Sequence, residues 1–434
     1  MKSVALLTLG CRVNQYETEA ISEAFINDGY KVVDFEEAAD VYVINTCTVT
    51  SIGDKKSRQM IRKAKKRNPE GVVVVAGCYS QVAPDEVAGI EGVDIIVGTS
   101  GKSNIPDMVR EYLEDRNQIN QVQNIMDVRK FEEMEIDEYQ DRTRAFLKVQ
   151  DGCDRYCSYC LIPYARGHIR SRSPENIILE VEKLAANGFK EIILSGIHVA
   201  SYGKDIGNIT LTDIIEKISK IEGIERIRIG SVDPTFFDDT TVNRLSRIGN
   251  LCPHFHLSLQ SGCDDTLKRM NRHYTTAEYK AIVEDLRNNI PDVSVTTDII
   301  VGFPGETEEE FETTYSFLEG LQLSKMHVFK FSPRKGTRAA IMDNQVDPVI
   351  KDRRSHMVIK LDEELENRFI NSFIGRELSV LFEETKEGYA YGYTENYIRV
   401  RVPSDEDLSG KILLVGLSSC TGEMANGKLC EAKL

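Results

Sequence analysis

Three of the chain's ten cysteines fall in one short run, Asp151-Gly152-Cys153-Asp154-Arg155-Tyr156-Cys157-Ser158-Tyr159-Cys160. Three thiolates on one loop can hold three irons of a [4Fe–4S] cluster. No fourth cysteine lies within ligand spacing, so one iron would stay open and could bind a substrate, as the open position of a catalytic zinc does. The alternatives are a zinc site or a chance grouping of buried cysteines. Structural zinc wants four protein ligands, and His168 is the only local candidate for the fourth. A second set is dispersed: Cys11, Cys47 and Cys78 each follow an apolar run, in Leu7-Thr8-Leu9-Gly10-Cys11, Ile44-Asn45-Thr46-Cys47 and Val75-Ala76-Gly77-Cys78. The steps between them are about one βαβ period. Parallel strands would bring all three thiols to one sheet edge, where open α/β sheets bind ligands. One such cysteine alone reads as an inert half-buried thiol; three in the same context read as a second three-cysteine cluster with an open iron. Cys252, Cys263, Cys420 and Cys430 read as ordinary thiols, with a local metal or redox pair as the alternative for the last two.

The elements that must position these groups follow from patterning. Up to about residue 122, apolar runs at Val4–Leu9, Val41–Asn45, Val72–Ala76 and, interrupted by Asp94, Val93–Val97 alternate with helical stretches such as Tyr16–Asp28 and Lys55–Lys66. This is the pattern of a doubly wound parallel sheet. The acidic stretch around Glu132, Glu133, Glu135, Asp137 and Glu138 reads as a linker over 123–142. Strands are expected at Ala145–Val149, Glu191–Ser195, Arg226–Gly230, His254–Leu259, Val293–Val301 and Met326–Phe331, separated by helices. Six βα units suggest a partial (β/α)6 barrel over 143–374, with its site at the C-terminal strand ends and a trailing helix Pro348–Ile374. Residues 375–434 read as a small all-β barrel, with strands at Leu378–Glu383, Tyr389–Tyr393, Tyr397–Val402 and Lys411–Leu417.

The net charge of −15 works against a nucleic-acid partner, but it is unevenly spread. Lys55, Lys56, Arg58, Arg62, Lys63, Lys65, Lys66 and Arg67 crowd one helical stretch, which reads as either a solvated face or a cationic surface. No apolar run approaches a membrane span, and Val4–Leu9 lacks the features of a signal peptide. A cytoplasmic, reducing setting follows, in which cysteines serve as thiols, ligands or catalysts rather than disulfides.

The spacing Cys153-x-x-x-Cys157-x-x-Cys160 after a first barrel strand resembles the radical S-adenosylmethionine (SAM) superfamily. With the second triad and the terminal β-barrel, the whole chain resembles the methylthiotransferase family, which has an N-terminal cluster domain, a radical SAM barrel and an RNA-binding TRAM domain. The branch acting on threonylcarbamoyladenosine in tRNA is the most similar, through Thr8-Leu9-Gly10-Cys11-Arg12-Val13-Asn14-Gln15-Tyr16-Glu17, Asn45-Thr46-Cys47-Thr48-Val49-Thr50, Gly77-Cys78-Tyr79-Ser80-Gln81 and Ile162-Pro163-Tyr164-Ala165-Arg166-Gly167. Departures are Lys335 and Arg338, where prolines are common, and Asp233 in place of Glu.

The resemblance implies two [4Fe–4S] clusters and SAM as both methyl donor and radical source. One SAM methylates a sulfur at the Cys11/Cys47/Cys78 cluster. A second, on the Cys153/Cys157/Cys160 cluster, yields the radical that takes the hydrogen from adenine carbon 2, and the methylthio group is then captured. Ser195 and Gly196 are implied near the SAM amino group, and Gln260, Asp298 and Val301 at further strand ends of the SAM site. Arg166, Arg170 and Arg172 are candidates for phosphate contacts, Arg12 and Arg166 for the threonyl carboxylate, and Tyr391, Tyr393 and Tyr397 for base stacking. The implied partners are tRNA, an external electron donor and a sulfur source, with neither DNA nor a membrane. Methylthiolation of isopentenyladenosine or of a ribosomal protein are the alternatives within the class. A non-catalytic iron–sulfur RNA-binding sensor is the alternative outside it.

Overall fold

In the computed structural model, residues 2–48, 51–134, 136 and 143–430 are described. The chain opens with six parallel strands: β1 (Ser3–Thr8), β2 (Lys31–Val33), β3 (Val41–Thr46), β4 (Val72–Gly77), β5 (Ile95–Ile96) and β6 (Ile119–Asn120). Their spatial order is β2-β1-β3-β4-β5-β6. β3 and β4 are buried along their whole length because helices cover both faces of the sheet. Val41, Val43, Val72 and Val74 meet Ile21 and Phe25 of helix Arg12–Asn27. Tyr42, Ile44, Val73 and Val75 meet Ile61 and Ala64 of helix Ser51–Arg67. The expected strand at Val93–Val97 shrinks to β5. The short strands β2 and β6, too brief to carry a period, were not expected.

The second unit runs through β7 (Arg144–Asp151), the short antiparallel β8 (Arg170–Ser171), β9 (Glu191–Gly196), β10 (Arg226–Ile229), β11 (Ser231–Val232), β12 (His254–Leu257), β13 (Ser294–Val301) and β14 (Lys325–Lys330). Strands β10 and β11 are one path broken at Gly230, β10 pairing with β9 and β11 with β12. The six parallel paths thus lie in chain order, as a partial barrel requires. Ala145, Leu147 and Val149 join the helix-side core with Ile177 and Val181. Strand alternation therefore turns Arg144, Phe146, Lys148 and Gln150 into the barrel. That core is continuous with the first sheet's, because Tyr16 of helix Arg12–Asn27 belongs to both. Helix Pro348–Asn371 follows, started by the Asp347 carboxylate accepting the Val349 N–H at 2.8 Å and by proline in its first turn.

The closing unit is a closed five-stranded barrel of β15 (Glu377–Lys386), β16 (Tyr389–Thr394), β17 (Arg399–Pro403), β18 (Ile412–Thr421) and β19 (Met424–Leu429), in the order β15-β16-β17-β19-β18. The unexpected fifth strand, β19, closes it by pairing with β17 and β18. The acidic stretch makes specific contacts where it is described. Glu132 accepts the backbone N–H groups of Gly101 and Ser103 at 3.0 and 2.9 Å, and Glu133 pairs with Arg172 at 2.8 Å. Glu135, Asp137 and Glu138 lie outside the described residues. Among the described residues, no helix is long and apolar enough to cross a membrane.

Candidate active site

Cys11, Cys47 and Cys78 stand just beyond β1, β3 and β4, which are adjacent in the sheet, so the three thiols share one edge. Two glycines shape that edge. Gly10 (φ +107°) and Gly77 (φ +103°) precede cysteines in a backbone conformation that disfavours side chains. A Cβ on Gly10 would come within 2.8 Å of the Cys47 sulfur, and one on Gly77 within 2.6 Å of the Asn45 amide oxygen. Cys11 is the N-cap of helix Arg12–Asn27. Cys78 is buried, which raises its thiol, while the Arg166 guanidinium opposes the rise.

The loop after β7 carries the other triad. Each of its sulfurs has an N–H donor: the Arg155 backbone for Cys153, Arg272 Nη1 at 3.3 Å from Cys157, and the Ile162 backbone at 3.4 Å from Cys160. Burial pushes the Cys153 thiol up to about 11 and the Cys160 thiol up to about 12, so ligation has to expel their protons. A thiolate bound to iron is tuned by such donors, and these residues fit an iron–sulfur cluster. Among the described residues, no three His, Cys, Asp or Glu side chains converge on the position of a single metal ion. His168 instead pairs with Asp154 at 2.8 Å. The loop is braced from neighbouring strand ends. Asp233 binds Arg155 at 3.1 Å and Arg272 at 3.0 Å, and the Ser158 carbonyl accepts the Ala339 N–H at 2.7 Å. The departures at Asp233, Lys335 and Arg338 therefore sit in loops that support the cluster loop.

The arginines after the loop correct an expectation. Arg166, Arg170 and Arg172 do not face phosphates; they are 0%, 2% and 4% exposed. Arg172 pairs with Glu180 and Glu133, and Arg170 donates to the Arg166 and His168 carbonyls. Arg166 binds Glu17 at 2.5 Å and Asp151 at 3.3 Å. Glu17, on the first helix, also takes Lys102 and Lys148, the latter at 2.8 Å. Burial alone would raise the Glu17 carboxyl, but Arg166, Lys102 and Lys148 hold it well below the usual carboxylate range. Its stabilisation is therefore complete at neutral pH and is lost only as pH falls through that lowered value. Glu17→Ala would leave buried Lys102 without its carboxylate and Arg166 and Lys148 sharing Asp151 alone, and should cost about 3–5 kcal/mol, read as a lowered denaturation midpoint. A loss below about 1 kcal/mol, the scale of an exposed pair, would contradict this reading of the network. Asn14 and Glu17 stand in the family-like stretch after Cys11, but the sequence assigns neither them nor Arg272 a role, because Arg166 and Asp233, which they meet, are remote in the chain.

Arg12 behaves differently from the other arginines. It is exposed, lies 4.8 Å over the Phe146 ring and donates to the Tyr397 hydroxyl at 3.2 Å. Among the described residues it meets no carboxylate. Tyr397 is stacked on both sides, against His254 at 4.6 Å and Tyr393 at 4.8 Å, so it docks the terminal barrel and is not free to stack a base. Of the expected SAM contacts, Ser195 and Gly196 end β9, and Gln260 has a left-handed backbone (φ +71°) bridged to β13. Asp298 holds His256 at 3.2 Å. Val301 is a correction: its side chain is 1% exposed in the apolar core and its carbonyl accepts the Phe331 N–H. In the basic helix, Arg58, Lys63, Lys65 and Arg67 pair with Glu86, Glu36 and Asp94, while Lys55, Lys56, Arg62 and Lys66 remain exposed. Cys420 and Cys430 lie toward opposite ends of the β18–β19 hairpin and are unpaired with each other.

Residues 147–318 match the family model of the Radical SAM superfamily, and residues 3–98 match that of the Uncharacterized protein family UPF0004. The chain is 45% identical to the threonylcarbamoyladenosine tRNA methylthiotransferase MtaB of Bacillus subtilis, over 96% of this chain and 93% of that one. It is 42% identical to the protein of the same name from Aquifex aeolicus, over 95% and 99%. A tRNA-2-methylthio-N(6)-dimethylallyladenosine synthase from Natranaerobius thermophilus is 36% identical over 100% and 98%. Among solved structures, the radical S-adenosylmethionine methyltransferase TsrM from Kitasatospora setae shares the fold with a TM-score of 0.58 at 16% identity, over 79% of this chain and 77% of that one.

Proposed function

The chain belongs to the methylthiotransferase family of radical SAM enzymes, in the branch of the threonylcarbamoyladenosine tRNA methylthiotransferases, and on that premise we propose that it converts N6-threonylcarbamoyladenosine in tRNA to its 2-methylthio derivative. In this reading Cys153, Cys157 and Cys160 hold one [4Fe–4S] cluster and Cys11, Cys47 and Cys78 a second. The observation that carries it is a direct link between the surroundings of the two triads: Arg166, six residues past Cys160, donates to the sulfur of Cys78 at 3.4 Å. Once bound, SAM and the clusters supply the radical and sulfur-transfer chemistry that acid–base groups cannot perform on an unactivated adenine C–H bond. Ser195, Gly196, Gln260 and Asp298 would position SAM from the strand ends. The reaction draws on an external electron donor and a sulfur source, and its setting is the cytoplasm.

RNA docking would use the terminal barrel. Lys386, Arg399 and Arg401 lie 5.3–5.7 Å over the Tyr391 and Tyr389 rings, an interleaving of cations and aromatics suited to nucleic acid. Exposed Lys55, Lys56, Arg62 and Lys66 would add a second cationic face. Substrate choice would rest on Arg12. It stands beside Cys11 with its charge uncompensated by any described carboxylate, which suits the threonyl carboxylate and offers nothing to an apolar isopentenyl group. Offered two transcripts that differ only in this group, the enzyme should modify the threonylcarbamoyl form in preference. Arg12→Ala should lower kcat/KM on that form by about 10- to 100-fold, the range of one lost charged hydrogen bond. Equal or better turnover of the isopentenyl transcript would contradict the substrate assignment.

A further inference from the structure

Arg166 is fully buried at the end of the short helix Ile162–Arg166, and every direction its guanidinium can donate is taken. Nη2 meets Asn14 Oδ1 at 2.6 Å and Glu17 Oε2 at 3.1 Å. Nη1 meets Glu17 Oε1 at 2.5 Å and Asp151 Oδ2 at 3.3 Å. With both forks fixed, Nε points at Cys78 Sγ, 3.4 Å away. Asn14, its partner, donates in turn to the Leu9 and Thr46 carbonyls at 2.8 and 2.9 Å, and its amide oxygen lies 3.9 Å from the Cys11 sulfur. One guanidinium–amide pair therefore touches the chain beside all three N-terminal cysteines, while the arginine itself is carried by the loop of the other triad. A lysine could match the charge but not this planar fork.

We infer that Arg166 is a positioning residue that donates a charge-assisted hydrogen bond to the Cys78 thiolate of the N-terminal cluster, raising that cluster's reduction potential and fixing it to the radical-generating loop. A donor on a ligand sulfur withdraws electron density and favours the more negative, reduced form of a cluster. The carboxylates of Glu17 and Asp151 aim the donor, so the bond survives without solvent competition.

The inference rests on the assignment of a cluster to Cys11, Cys47 and Cys78, and the test separates the two. In a Cys153→Ala/Cys157→Ala/Cys160→Ala background, which would leave only the N-terminal cluster, the midpoint potential and the Fe–S stretching frequencies are measured for Arg166 and for Arg166→Lys and Arg166→Gln. The lysine variant keeps a cation in the network, so it carries the test if the glutamine variant does not fold. The expected result is a shift to more negative potential in Arg166→Lys, a larger one in Arg166→Gln, and changed Fe–S frequencies in both. Iron retained with unmoved potential and frequencies would overturn the role of Arg166 alone. No iron in the background variant would overturn the cluster assignment and this inference with it.

Discussion

Replacing Cys153, Cys157 and Cys160 together with Ala is expected to leave about four irons where the reconstituted wild type holds about eight, and to abolish SAM cleavage. In the proposed assignment the loop supplies all three protein ligands of its cluster, and each of its sulfurs already has an N–H donor. The fold should survive, because the six-path barrel draws its core from the helix-facing residues of the strands and not from this loop. The N-terminal triad lies on separate strands with its own supporting glycines and should retain its iron. A triple variant that still binds about eight irons would show that the ligands have been misassigned.

The second large effect separates the two triads. Cys47→Ala should continue to cleave SAM to 5′-deoxyadenosine, while methylthiolated nucleoside falls by more than about 100-fold, at or beyond the upper range for losing even an outer-shell partner of a metal site. Cys47 follows β3 and lies against Gly10, on the first sheet and not on the loop after β7, so its removal should leave SAM binding intact. Both products are measured in one reaction. Normal methylthiolation by this variant would remove any sulfur-delivery role from the N-terminal triad.

The strand-end cysteines were legible because each closes an apolar run of a buried parallel strand, a pattern in which spacing alone predicts a common edge. The partial barrel was legible from the same alternation. Charged residues were not, because sequence reports a charge without its partner. Arg166 reads as a phosphate contact until Glu17, 149 positions earlier, is found against it. Arg172 likewise finds Tyr16 across the unit boundary, beside Glu180 of the helix that follows it. Tyr397 reads as a strand residue, yet it sits in a turn at φ +70° with both ring faces covered. Strand β19 escaped notice because Met424-Ala425-Asn426-Gly427-Lys428-Leu429 has neither β-branched residues nor a clear alternation, and barrel closure supplies the pairing that propensity does not. The basic helix shows the same limit: half of its cations neutralise the protein's own acids, which composition cannot reveal.

The most direct measurement of the central claim is mass analysis of nucleosides from bulk tRNA of a strain lacking this protein, with the wild type and a complemented strain beside it. The expected result is loss of 2-methylthio-N6-threonylcarbamoyladenosine, accumulation of its unmethylthiolated precursor, unchanged methylthiolated isopentenyladenosine, and recovery on complementation. Loss of the isopentenyl product with the threonylcarbamoyl product intact, or no change in either, would contradict it.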